Sequence, residues 1–259
     1  MLAPGPFRAE HMPSKSRYEL SDGHPIYCSP TKAQGGRASV VGAHVLDSDP
    51  AVRNTAMDAG YEQSPDNLRA PDLSVNLPDG PDVGWVKGVP PLAVEYADSG
   101  QDEKELKAKI AEFLAGGTQL IWVVRLTGPR RVQVYESGKP RRDAKPGELL
   151  HAPGILQNPV PVEALYDRDA SWAATFRNLL ARHGYDSLDD VLKEGREEGR
   201  KEGEVRGART ALTAMLGHRG LYPTDGQLKR IADCGDAGRL IDWTLLVAGG
   251  AELESLFGD

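Results

Sequence analysis

The sequence predicts an α/β fold, with α+β as the alternative, that has a mixed central sheet and a helical C-terminal extension. Apolar runs at 92–97 and 120–126 have the length of strands, and a helix-patterned segment separates them. A helix that joins two strands in this way is compatible with a parallel crossover. The runs 120–126 and 131–136 flank Thr127-Gly128-Pro129-Arg130 and predict a hairpin. Strand patterns stop beyond residue 190.

The composition limits the size of the core and the kinds of partner. The chain has 259 residues with 39% hydrophobic and 6% aromatic content, which is enough for one core and lean for two. The net charge of −7 gives no global attraction to nucleic acid. Between residues 103 and 142, however, nine Lys/Arg face four acids, a local charge of 9 − 4 = +5. This segment is either a face that steers phosphate or a set of solvated surfaces.

The chain carries no sequence signal for export or for a membrane. Cys28 and Cys234 are far apart and lack CxxC spacing. The first 13 residues contain no apolar signal core, and no run approaches the roughly 20 apolar residues that span a bilayer. We therefore expect a soluble, cytoplasmic protein without a membrane partner.

The N-terminal third predicts disorder followed by a hairpin. Residues 1–16 are rich in proline and glycine, and we expect them to be disordered. Residues 17–20 and 24–29 flank Asp22-Gly23, a dipeptide typical of tight hairpin turns. Two short helices are expected next, at Ala38–Leu46 and Pro50–Ala59.

The centre of the chain predicts a strand, a second strand and a helix. Leu73, Val75 and Leu77 alternate with polar residues, which indicates a half-buried strand with Asp72 on its polar face. The strand 92–97 follows a turn-rich loop. Asp102 is then expected to cap a helix that Gly116-Gly117 ends; its apolar face is Leu106, Ile110, Phe113 and Leu114.

The C-terminal part divides into three expected segments. Residues 166–190 are predicted to form a helical segment packed on the core, and residues 210–259 a small helical tail. Between them, 191–209 is highly charged and has a glycine at every fourth position. Each glycine destabilises a helix by roughly 0.5–1 kcal/mol relative to alanine. A solvated linker is therefore favoured over a helix whose glycine stripe packs against another chain.

Two carboxylates and a lysine form the candidate site. An acidic side chain inside a buried strand is costly unless a metal or a cation compensates it, and Glu95 lies inside such a run. Asp72 is 95 − 72 = 23 residues earlier, so the two acids can lie on neighbouring strands. Carboxylates of this kind suit Mg²⁺, with Mn²⁺ as a substitute. Lys109, on the following helix, is positioned to orient a water or stabilise developing negative charge.

Each of these residues also has a structural interpretation. Asp72 caps a turn in that interpretation, Glu95 pairs with a structural cation, and Lys109 is an exposed helix lysine beside Lys104 and Lys107. Outside the candidate site, the six histidines lack ligand spacing, and P-loop, GxGxxG and GxSxG motifs are absent from the sequence.

Several short motifs follow one another in a fixed order and at suitable distances. They are Tyr18-Glu19-Leu20 before Asp22-Gly23, Pro71-Asp72, Val94-Glu95, Lys109 with Phe113, and Gly117 before Ile121–Val124. In these motifs, residues 17–165 resemble the Uma-type restriction endonucleases, a branch of the PD-(D/E)XK nuclease superfamily. The resemblance implies a restriction-endonuclease-like core and Mg²⁺-dependent cleavage of DNA. It implies that Asp72 and Glu95 bind the metal, with Glu19 as a further ligand and Lys109 as a catalytic residue.

The chain departs from the superfamily pattern at the lysine. The superfamily places it two residues after the glutamate, where this chain has Ala97, and the resemblance implies that Lys109 replaces it. The first hypothesis is a metal-dependent endonuclease linked to restriction or mobile DNA. The alternative is an inactive nuclease-fold protein that binds partners or forms a homodimer through its C-terminal helices.

Overall fold

The computed structural model describes residues 5–79, 84–99 and 102–256 and divides the chain into two compact units, 1–186 and 187–259. The helices in the described ranges are α1 (Ala33–Asp47), α2 (Glu103–Ala115), α3 (Arg168–Arg182), α4 (Leu188–His218), α5 (Asp225–Asp233), α6 (Ala237–Ala248) and α7 (Leu253–Leu256). Short 3-10 helices lie at Ala9–His11 and Val162–Leu165.

Every strand of the described ranges belongs to the first unit. The strands are β1 (Tyr18–Ser21), β2 (His24–Tyr27), β3 (Thr55–Met57), β4 (Tyr61–Ser64), β5 (Asn67–Arg69), β6 (Leu73–Val75), β7 (Val86–Lys87), β8 (Leu92–Ala97), β9 (Leu120–Arg125), β10 (Arg131–Glu136), β11 (Arg142–Ala144), β12 (Leu149–Leu150) and β13 (Val160–Pro161).

The central sheet of the first unit is mixed. Its strand order is β11-β10-β9-β8-β6-β3, with β8 parallel to β9 and the other neighbouring pairs antiparallel. The helix α2 makes the connection between β8 and β9, and β9 and β10 form a hairpin. The predicted α/β fold with a mixed central sheet and flanking helices is confirmed.

Alternation along β8 decides which helix each side chain meets. Leu92, Val94 and Tyr96 lie in a core that includes residues of α1 and α3. Ala93 and Ala97 lie in the opposite core, against the apolar face of α2. Glu95 has the parity of the two alanines, so its carboxylate is on the side of α2.

A second sheet has the order β2-β1-β5-β4-β7 and begins with the predicted hairpin. Asp22 and Gly23 both have positive φ, +49° and +70°, as a two-residue type I′ turn requires. This hairpin holds Glu19 on β1, one residue before the buried Leu20.

Three local expectations are wrong. Residues 5–16 are not disordered, because Ala9 and Met12 are buried against Leu20 and Leu68; residues 1–4 lie outside the described ranges. The helix expected at 50–59 is replaced by β3, whose pairing with β6 overrides local helix preference. The strand expected to begin at Asp72 is the shorter β6, and it is buried on both faces instead of half-buried.

The described part of the second unit contains four helices joined by short turns and has no strand. The charged segment 191–209 is part of α4. It is therefore a helix and not the solvated linker that the sequence favoured. Buried side chains of α4 occur only near its C-terminal end, where Ala208, Leu212 and Leu216 share a core with α6. Residues 257–259, the end of the predicted tail, lie outside the described residues. No described helix is both long and apolar enough to cross a membrane.

Candidate active site

The predicted site residues meet in one cleft of about 890 Å³ in the first unit. Asp72, Glu95, Lys109 and Glu19 all line it. In the antiparallel register Leu73 lies opposite Val94, which brings the preceding Asp72 beside Glu95. The separation along the chain is therefore closed by the pairing of β6 with β8.

The carboxylate of Asp72 is held by the backbone of β8. Its Oδ2 accepts a hydrogen bond from the N–H of Tyr96 at 2.5 Å. Burial raises the pKa of Asp72, against the opposing effects of the Lys109 ammonium and the Tyr96 N–H. Since this contact joins two strands of the sheet, it does not match the turn-cap interpretation of Asp72.

Glu95 is buried and under-compensated. Burial raises its pKa to about 8, assisted by the neighbouring carboxylate of Asp72 and opposed by Lys109. The Nζ of Lys109 lies 2.8 Å from Oε1, but Oε1 accepts no well-aligned hydrogen bond. The contact is an ion pair once Glu95 has lost its proton, and its geometry leaves this buried oxygen without a directed donor.

Lys109 is largely but not fully buried, with 13% of its side chain exposed. Its Nζ donates to the carbonyl of Ala70 at 2.6 Å and lies 3.2 Å from Glu19 Oε1. Burial alone would lower its pKa, but the surrounding carboxylates, Glu19 first and then Glu95, raise it. Lys109 is therefore a protonated donor inside the site, and the exposed-lysine interpretation is wrong.

Glu19 faces cations on both oxygens. Its Oε2 accepts from Nη1 of Arg69 at 3.1 Å, while Oε1 faces Lys109 and accepts from the Ala70 N–H at 3.3 Å. Across the described residues, no group of three His, Cys, Asp or Glu side chains has the arrangement of a metal site. Glu19 therefore already contacts Arg69, Lys109 and the Ala70 N–H, and its role as a third metal ligand stays a prediction.

Sequence reasoning missed two residues of the site. Asp58 follows β3 and lines the cleft, and its charge contributes to the raised pKa of Asp72. Because the sequence predicted a helix over 50–59, it did not place Asp58 next to the sheet. Arg69 is fully buried and bonded to acidic side chains. A single arginine two residues before Pro71 gives no periodic signal for such a role.

The basic segment 103–142 does not form a continuous phosphate-binding face. Five of its nine cations have acidic partners: Lys109 in the site, Arg125 with Glu103, Arg131 and Arg141 with Asp143, and Lys139 with Glu136. Arg130 lies 4.7 Å from the ring centre of Tyr166. These contacts favour the solvated-surface interpretation.

Asp72 and Glu95 are the residues that could hold a divalent cation. They lie side by side, burial raises the pKa of both, and one Glu95 oxygen lacks a directed donor. Mg²⁺ is commonly bound by one or two carboxylates with water and substrate phosphate completing the shell. The two acids fit such an ion without Glu19.

The mixed sheet and its acid–lysine cleft define a protein of the nuclease-fold class. A family model described as Uma2, putative restriction endonuclease, matches residues 7–162, or 156 of the 259 residues. The chain belongs to this family, which confirms the resemblance found in the sequence.

A solved structure supports the same fold. The crystal structure of a putative nuclease belonging to DUF820 from Anabaena variabilis ATCC 29413 has a TM-score of 0.50 and 17% sequence identity to this chain. The alignment covers 58% of this chain and 90% of the neighbour, and at this identity it speaks to the fold alone. No curated protein matches the chain.

Proposed function

We propose that the protein is a metal-dependent DNA endonuclease of the PD-(D/E)XK type, which uses Mg²⁺, or Mn²⁺ in its place, to hydrolyse phosphodiester bonds. The observation that carries this proposal is the 2.8 Å contact of Lys109 Nζ with Glu95 Oε1, beside the backbone-held Asp72. A protonated lysine next to two raised-pKa acids in a cleft is the pattern of a functional site.

The three residues have separate roles in this proposal. Asp72 and Glu95 hold the cation, which when bound supplies stabilisation of negative charge on the phosphate. Lys109 keeps its proton and donates hydrogen bonds to the attacking water or to the phosphate oxygens. Because its pKa is raised, Lys109 acts as a donor and not as a general base.

Lys109 has the role that the superfamily gives to a lysine at the position of Ala97. Ala97 is 1% exposed and lies in the core formed with Leu106 and Ile110 of α2. A lysine there would bury its stem and charge among apolar side chains. Lys109, which is on α2 like Leu106 and Ile110, reaches the carboxylate of Glu95. This contact supports Lys109 as the counterpart of the superfamily lysine.

DNA is the proposed partner, and the charge of the cleft indicates how it binds. Acidic side chains outnumber basic ones on the cleft wall, so phosphate would approach it only with a cation present. Lys15, Arg17 and Lys32 also line the cleft and are exposed. These three supply the positive charge available to neighbouring phosphates.

Plasmid nicking tests the proposal. Wild-type protein is incubated with supercoiled DNA in Mg²⁺, in Mn²⁺ and in chelator, beside Asp72→Asn and Glu95→Gln. Glu62→Gln is the matched control, because Glu62 pairs with Lys87 on β4 and β7 and does not line the cleft. Metal-dependent nicking by wild type and control alone supports the proposal. Equal nicking by Asp72→Asn or Glu95→Gln contradicts it.

A second candidate function is self-assembly through α4 without catalysis. Leu188 and Leu192 are exposed, and at 100° per residue they share a helix face with Gly195, Gly199 and Gly203. A Cβ at any of these three glycines would meet no atom within 4 Å. This face is therefore open to a partner helix.

The charges beside that face favour a parallel homodimer. Arg196 and Arg200 border it on one side, and Glu198 and Glu202 border it on the other. In a parallel pair opposite borders meet, whereas in an antiparallel pair like borders meet. Light scattering of the full chain and of Leu188→Glu/Leu192→Glu tests this: a dimeric mass that the double variant halves supports it, and a monomeric wild type contradicts it.

A further inference from the structure

We propose that Arg69 is a positioning residue that sets where the Lys109 ammonium stands, by clamping α2 on both sides of that lysine and by holding its counter-ion. The inference rests on the proposed nuclease function and assigns a further residue to the same site.

The clamp on α2 is bidentate. The Nε of Arg69 lies 2.5 Å from Glu112 Oε2, and its Nη1 lies 2.7 Å from Glu105 Oε1. Glu105 is four residues before Lys109 and Glu112 is three residues after it, so all three share one helix face. One buried guanidinium thus grips the turns that precede and follow the lysine.

The same guanidinium also holds the counter-ion of the lysine. Its Nη1 lies 3.1 Å from Glu19 Oε2, while Glu19 Oε1 faces Lys109 Nζ at 3.2 Å. The next residue, Ala70, accepts from Lys109 through its carbonyl at 2.6 Å and donates to Glu19 through its N–H at 3.3 Å. Ala70 therefore contacts Lys109 directly through its carbonyl, whereas Arg69 acts on it indirectly, through the glutamates of α2 and through Glu19.

A helix-borne lysine needs such a device. A lysine on β8 itself would be placed by the strand that carries Glu95, but Lys109 comes from another element, 109 − 95 = 14 residues later. Its distance from Glu95 then depends on how α2 slides and rotates on the sheet. A misplacement of about 1 Å in an active site can cost about 100-fold in rate.

Arginine suits this position for a geometric reason. Its planar guanidinium offers donors in several fixed directions, whereas a lysine ammonium is a compact charge on a flexible stem. Arg69 has 0% of its side chain exposed and meets carboxylates from two elements, β1 and α2. A purely structural role would explain the burial, so the test must separate positioning from stability.

A double-mutant cycle makes that separation. Glu105→Gln and Glu112→Gln are each combined with Lys109→Met. Glu103→Gln is the control, because Glu103 lies on the same helix but pairs with Arg125 of β9 and not with Arg69. Cleavage rate constants, KM and melting temperature are measured in Mg²⁺. Glu112 also accepts from Ser21 Oγ at 2.5 Å, so agreement between the Glu105 and Glu112 variants is required.

We expect kcat to fall about 10- to 100-fold for each glutamate variant, with KM unchanged. In the Lys109→Met background we expect the same substitutions to cause no further fall in kcat. The Glu103 control keeps wild-type kcat. Equal fractional losses in both backgrounds, or losses that track melting temperature alone, overturn the inference while leaving the proposed function intact. Absence of metal-dependent cleavage by wild type overturns the proposed function and this inference with it.

Discussion

The two units of the molecule use the same charged residue types in opposite surroundings. In the first unit, Arg69 and Lys109 are enclosed with carboxylates beside the sheet. In the second, Arg200 pairs with Glu197 and Glu204 along the solvated surface of α4. The distances between the charged atoms are similar in the two sets. Burial decides the difference, because an exposed pair exchanges water for a partner at little gain, whereas a buried charge that loses its partner cannot regain water.

The largest effect is expected at Arg69. Arg69→Met leaves three carboxylates without their buried cation, and we expect a loss of about 3–5 kcal/mol in the free energy of unfolding of the first unit. Urea unfolding followed by tryptophan fluorescence measures it, since three of the four tryptophans, the buried Trp122 among them, lie in the first unit. The comparison between the two networks breaks if Arg69→Met unfolds at the wild-type urea concentration.

Lys109 is expected to matter for rate. Lys109→Met removes the donor beside Glu95, and we expect a fall in cleavage rate of about 100- to 1,000-fold. Lys104→Met is the matched control, because Lys104 is an exposed lysine of the same helix. Single-turnover cleavage at saturating Mg²⁺ gives the comparison, and similar rates for the two variants would refute a role for Lys109.

The raised pKa of Glu95 predicts a pH-dependent stability. Without metal, folded Glu95 keeps a proton up to about pH 8, whereas the unfolded side chain loses it near its ordinary value of 4.5. Between these values the folded state binds more protons, so its stability falls as pH rises through this window. The pKa of Lys109 is raised, so its stabilising charge persists throughout the same window.

Glu95→Gln removes this dependence. In chelator, the melting temperature of wild type should fall relative to Glu95→Gln from about pH 5 to about pH 8. Glu103→Gln, at an exposed carboxylate of α2, should follow wild type. Parallel curves for Glu95→Gln and wild type would show that Glu95 ionises normally.

The glycines of α4 offer a smaller effect of opposite sign. Gly203→Ala meets no atom within 4 Å, so we expect it to stabilise the helix by about 0.5–1 kcal/mol. Circular dichroism melts at several protein concentrations measure this. A destabilisation that shrinks on dilution would instead show that the glycine face contacts a second copy, because a dimer stabilises the fold only where it is populated.

The smallest effect is expected at Arg200. Its side chain is 54% exposed, and its partners are one helical turn away on either side. Arg200→Ala should leave the melting temperature unchanged within error. A marked fall would show that the exposed pairs of α4 carry structural weight, and the contrast with Arg69 would be lost.

The sequence predicted those parts of the site that follow from local patterns. Glu95 stands out because it interrupts an apolar strand, and α2 is predictable from its cap and its apolar spacing. Arg69 and Asp58 were missed because their roles depend on contacts between distant segments. The same cause explains β3, which forms where its own residues suggested a helix, because β6 provides a partner.

The prediction of disorder for the N-terminal segment was wrong for a related reason. Proline and glycine in 1–16 indicate disorder when they are counted, but Ala9 and Met12 are held by a core that β1 and β5 complete. The local composition of residues 1–16 cannot predict this core, because its other members, Leu20 and Leu68, lie further along the chain.

The helix-borne lysine has a consequence for the time at which the site comes into being. Glu19, Asp72 and Glu95 are synthesised before α2, and α2 docks against a sheet whose next strand, β9, lies further along the chain. A chain still emerging from the ribosome therefore holds its acids without their ammonium in place. The cleft is therefore complete only after the helix that follows its acid-bearing strands has been made and has docked.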